Sequence, residues 1–118
     1  MINQTFIQGN LGADPEIRET TSGTKVANYR LAVYRPNPKD KDKPLTDWFN
    51  VIAWGDQADL VINNLKKGSK VLVSGKFQTR NYDDKDGKKV YVTELFQSDF
   101  WLAPKKEDTG SSKEEMPF

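Results

Sequence analysis

Apolar residues recur with a two-residue period in five separate stretches of this chain, and that rhythm is broken once, by a single stripe of helical spacing. The five stretches are residues 3–11, 25–35, 46–55, 70–82 and 88–102, divided by clusters of Gly, Pro, Asn and Asp. This alternation is the pattern of half-buried antiparallel strands. Over residues 56–67 it gives way to Ala58, Val61, Ile62 and Leu65 on one helical face, with Asp56 as the expected N-cap and Gly68 as the stop. Three strands, one short helix and two strands is the connectivity of the five-stranded OB barrel, so the expected fold class is all-β.

Two connections carry their own signatures. Residues 36–44 read Pro-Asn-Pro-Lys-Asp-Lys-Asp-Lys-Pro, in which proline and alternating charge oppose regular pairing, and a mobile loop is expected. Asp86-Gly87 marks a tight turn, so the last two strands form a long hairpin. Beyond Pro104 no periodicity remains and Lys, Glu, Asp, Gly and Ser dominate up to Met116-Pro117-Phe118. The expected organisation is one domain over residues 1–103 and a disordered tail with an apolar tip over 104–118.

Composition narrows the chemistry. A chain of 118 residues holds one modest core, and no apolar run is long enough to cross a membrane or direct secretion, so a cytoplasmic, nucleoid-associated protein is expected. There is no cysteine and no histidine, which removes disulfides, thiolate metal sites and the commonest general base. No cofactor is expected. The net charge of +1 is uninformative as a total; residues 1–103 carry 15 basic and 13 acidic side chains, whereas 104–118 carry 3 and 4. The cluster Asp83, Asp84 and Asp86 does not make a calcium loop: aligning Gly87 with the loop glycine puts Tyr82 at the first ligand position and Thr93 where a bidentate Glu is required.

Candidate binding residues come from strand parity. In the third stretch Trp48, Asn50, Ile52 and Trp54 share one face, and Phe49, Val51 and Ala53 the other. If the second set packs inward, two indoles flank an amide on an outward surface; the other reading makes the tryptophans core or subunit contacts. In the fourth stretch Lys76, Gln78, Arg80 and Tyr82 form a basic stripe ending in an aromatic ring, opposite Val71, Val73 and Phe77. The second adds Asn28, Arg30 and Tyr34. Aromatic faces accept any base by stacking, and neighbouring cations meet phosphates, so this interleaving suits sequence-tolerant single-strand binding. Lys39, Lys41 and Lys43 of the loop are further candidate phosphate contacts.

The strings Gly9-Asn10-Leu11-Gly12-Ala13-Asp14-Pro15-Glu16, Val26-Ala27-Asn28, Leu65-Lys66-Lys67-Gly68-Ser69 and Glu114-Glu115-Met116-Pro117-Phe118 resemble the bacterial single-stranded DNA-binding protein family. The resemblance spans residues 5–103 and resumes at the tip. It implies an OB-fold protein, usually a homotetramer, that wraps single-stranded DNA and recruits replication and repair enzymes through its tip. By position Trp48, Trp54 and Tyr82 look like family stacking sites, and Arg80 like a basic DNA contact. The chain departs from the family in carrying Tyr34, Arg35 and Pro36 where another stacking Trp is common, two glutamates where the tip usually has an aspartate run, and a short linker. Two other functions compete: an OB module that binds structured RNA or a partner protein, and a small metal-dependent nuclease, which the missing histidine and carboxylate constellation disfavour.

Overall fold

Alternate residues of each strand face a common interior. Ala27, Tyr29 and Leu31, then Val51 and Ala53, Val71 and Val73, and Leu95 are buried together, while most of their sequence neighbours are more exposed and Ala32, Ser74 and Glu94 are buried as well. The computed structural model describes residues 1–103 as β1 (Thr5–Leu11), β2 (Glu16–Glu19), β3 (Lys25–Arg35), β4 (Leu45–Trp54), α1 (Asp56–Asn64), β5 (Lys70–Asp83) and β6 (Lys89–Leu102). The sheet order is β1-β5-β6-β4-β3-β2, and β1 also pairs with β3 at Asn10↔Ala32 and Leu11↔Leu31. That last pairing closes five strands into a barrel, with β4 and β6 parallel and the other pairs antiparallel. The expected OB architecture is therefore present, and the expected tail lies outside the described residues.

Four local expectations are corrected. A sixth strand, β2, pairs only with β3 and lies outside the barrel; its four exposed residues are too few to show a period. The helix starts after Gly55, whose φ of 59° lies where glycine is favoured, and no side chain caps it, so Asp56 is its first residue rather than its cap. It ends at Asn64, not Lys67, because Leu65 turns extended, and Ile62 is exposed instead of joining Ala58, Val61 and Leu65 in the core. Those three pack the helix against β3, β4 and β6.

The two loops are organised by their own side chains. Asn37 Oδ1 accepts from the Lys39 amide at 2.9 Å, Asp40 Oδ1 from the Asp42 amide at 3.0 Å, and Asn37 Nδ2 donates to the Lys43 carbonyl at 3.0 Å. In the β5–β6 turn Asp84 Oδ1 accepts from both the Asp86 and Lys88 amides at 2.9 Å. Asp84 thus serves the turn, which gives one member of the acidic cluster a structural role. From Gln78 to Asp83 β5 pairs only with β6 and is exposed on both of its faces.

Candidate nucleic-acid interface

Because Val51 and Ala53 are fully buried, the pleat turns Trp48, Asn50, Ile52 and Trp54 of β4 to the outside. Both indoles are 47% exposed. The β3–β4 register sets Ala32 opposite Trp48, Arg30 opposite Asn50 and Asn28 opposite Ile52. Arg30 then reaches diagonally across the sheet, and its guanidinium carbon lies 4.4 Å from the Trp48 ring centroid, within cation–π range. The same indole also lies over Gly12, just after β1. Asn28 Oδ1 is buried without a hydrogen-bond partner.

The β5–β6 hairpin supplies a second wall. Arg80 Nε donates to Glu94 Oε1 at 2.9 Å and Nη2 to Oε2 at 3.3 Å, and its guanidinium carbon is 5.9 Å from the Tyr82 ring centroid. The hydrogen bond to Glu94, aided by the attraction of that carboxylate, makes Arg80 hold its proton more firmly than an ordinary arginine.

Between these walls runs a groove of about 700 Å³, lined by Asn28, Arg30, Trp48, Asn50, Ile52, Trp54 and Arg80 among others. Six of the thirteen stacking, polar and basic candidates named from residues 1–103 thus come together. Lys76, Gln78 and Tyr82 stand exposed on the same face of the hairpin as Arg80 but do not line the groove. Tyr34 and the loop lysines Lys39, Lys41 and Lys43 are exposed and also lie away from it. Residues Glu114, Glu115, Met116, Pro117 and Phe118 fall outside the described residues.

Sequence reasoning missed Gly12, Glu94 and Phe96 as well as Asp14, Glu16, Arg18 and Glu19 around β2. Counting pairs back from the Asp86-Gly87 turn would have set Glu94 opposite Gln78 and Phe96 opposite Lys76, but β2 offered no signal. The missed residues change the charge of the site. Three arginines face four carboxylates, Asp14, Glu16, Glu19 and Glu94, so the groove has aromatic surface but no cationic excess. Among the described residues no cluster of three or more side chains could hold a metal ion, and no helix is long and apolar enough to cross a membrane.

Comparison with known proteins agrees with this geometry. The model of the single-strand binding protein family matches residues 2–102. A "Single-stranded DNA-binding protein" of Halalkalibacterium halodurans is 44% identical over 95 residues, covering 80% of this chain and 56% of that protein. One from Bacillus cereus is 43% identical, covering 89% of this chain and 62% of its own length. This chain therefore spans less than two thirds of either relative. "Single-stranded DNA-binding protein 3" of Listeria innocua is 42% identical over 95% of this chain and 71% of its own. Among solved structures, "Plasmodium falciparum SSB complex with ssDNA" superposes with a TM-score of 0.77 at 28% identity, covering 88% of this chain and 96% of that one.

Proposed function

The chain belongs to the single-strand binding protein family, and from that premise we propose that it binds single-stranded DNA without regard to sequence and protects it during replication, recombination and repair. The observation that carries this reading is the outward pair Trp48 and Trp54 on β4, set around half-buried Ile52 in a groove flanked by Arg30 and Arg80. Stacking is indifferent to base identity, so a groove built on two indoles accepts any base. The test is competition for a labelled oligo-dT among unlabelled single strands of different composition, duplex of equal length and structured RNA. Comparable competition by all single strands and little by duplex supports the proposal. Preference for duplex or structured RNA refutes it.

Two further elements belong to the proposal. We assign a homo-oligomer, a tetramer by family, to the outer face of β1, β5 and β6. There Phe6 is 63% exposed, and Leu72 and Trp101 are cross-strand neighbours. β1 meets β3 only at Asn10 and Leu11, so one edge of its Thr5–Gly9 stretch is unpaired and needs cover. Ile52, the outward apolar residue of β4, lies in the groove and not on this face. We assign recruitment of replication and repair proteins to Glu114, Glu115, Met116, Pro117 and Phe118, on the strength of an acidic pair preceding an apolar tip.

A further inference from the structure

Arg80 is the only arginine lining the groove that is tied to a carboxylate among the described residues, and that carboxylate is itself buried. The Glu94 side chain is 9% exposed against 59% for Arg80. Arg80 stands opposite Val92, whereas Glu94 stands opposite Gln78, so the pair is diagonal and draws the guanidinium back along the hairpin toward the barrel. The contact is two-pronged, through Nε and Nη2, and leaves the remaining N–H groups beside Tyr82.

A carboxylate taken out of water depends on its counter-charge. Were Arg80 to swing to an exposed phosphate, Glu94 would be left alone in a poorly solvated place, in exchange for an ion pair screened by water and salt. The stable outcome is that the pair stays intact when a strand arrives. We propose that Glu94 is a positioning residue for single-stranded DNA binding. It keeps Arg80 beside Tyr82 as half of a charge-neutral pair, so that Arg80 meets bases or sugars rather than replacing the counterions of a phosphate. The inference rests on the single-strand binding reading above. It moves the phosphate-neutralising role to cations without a carboxylate partner among the described residues, Arg30 and Lys76 foremost.

The experiment is a salt titration of oligo-dT affinity on the full chain, comparing wild type, Glu94→Gln, and Arg80→Gln combined with Glu94→Gln. On single strands log K falls against log salt with a slope of about −0.7 for each phosphate neutralised. Glu94→Gln frees one cation in the groove, and its slope should steepen by about 0.7. The double variant replaces a neutral pair by neutral side chains, and its slope should equal that of wild type although its affinity is lower. A Glu94→Gln slope equal to wild type overturns the proposal. So does a double variant whose slope is flatter by about 0.7, because Arg80 then neutralises a phosphate in spite of Glu94; this arm stands even if the single variant fails to fold. Failure of wild type itself to bind oligo-dT would refute the single-strand reading instead, and is read before any slope is compared.

Discussion

The Trp48 indole lies over Gly12 so closely that a methyl group on that glycine would come within 2.6 Å of Cζ3 and 2.9 Å of Cη2. The obstructed atoms are the far end of a side chain and not backbone, and Gly12 is not in the left-handed region, so alanine fits the backbone there. The missing side chain at Gly12 leaves the room that the indole occupies beside Arg30.

Gly12→Ala should therefore leave the melting temperature near that of wild type while re-aiming Trp48. Oligo-dT affinity is expected to fall several-fold, within the range of about 1–3 kcal/mol that one lost stacking contact represents. In a Trp48→Ala background the same substitution should do nothing more, because its target is gone. An equal loss in both backgrounds would assign Gly12 a different role.

Trp54→Ala and Tyr82→Ala remove rings 47% exposed in each case, so they sacrifice little core. Each should weaken oligo-dT binding about tenfold by titration with small change in thermal stability. Tyr82 stands outside the groove on the hairpin, so its loss should matter more for longer oligonucleotides that reach it than for short ones. A large drop in melting temperature for either variant would show that the ring supports the fold.

The electrostatic expectation shifts with the groove's charge. Arg30→Ala, in the groove, and Lys76→Ala, on the hairpin face that carries Arg80, should each flatten the salt slope by about 0.7, whereas neutralising Lys39, Lys41 or Lys43, which belong to neither surface, should change it less. Salt titrations of the five variants decide this. Loop variants that flatten the slope as much as Arg30→Ala would put the DNA backbone across the 36–44 loop.

The tyrosine that faces inward makes a pH prediction. Tyr29 donates to Gln97 Oε1 at 2.6 Å, Gln97 Nε2 donates to Gln57 Oε1 at 2.7 Å, and burial pushes the phenol well above its ordinary value of 10.0. The folded state keeps this phenol protonated, so its contribution is complete below about pH 10. It is lost as pH rises further, because the unfolded phenol ionises first. Chemical denaturation between pH 8 and pH 11 should show wild-type stability declining at the alkaline end and Tyr29→Phe declining less. At neutral pH the variant should be weaker by about 1–3 kcal/mol, since Gln97 loses its donor. Identical alkaline decline in both proteins would contradict this.

Strand parity made much of the site legible. The burial of Val51 and Ala53 forces Trp48 and Trp54 outward, and the same rule on β3 turns Arg30 to meet Trp48. Parity alone does not carry register; counting back from the Asp86-Gly87 turn sets Glu94 opposite Gln78, but the diagonal reach of Arg80 to it needs the side-chain geometry. Nor does parity detect a strand such as β2, where one Ile17 among Glu16, Arg18 and Glu19 gives no period. The helix start was misread because Asp56 is a good N-cap by type, whereas the chain leaves β4 through Gly55 at positive φ and makes the turn with the backbone alone.

The central claim is that single strands stack in the groove of Trp48 and Trp54, and intrinsic tryptophan fluorescence reads it directly. Trp101 does not line the groove, so Trp101→Phe leaves only the two groove indoles as reporters. Titrated with oligo-dT at low salt, this variant should lose most of its emission, recover it as salt is raised, and respond little to duplex of the same length. Emission that oligo-dT leaves unchanged, or that duplex quenches as strongly, would contradict the account.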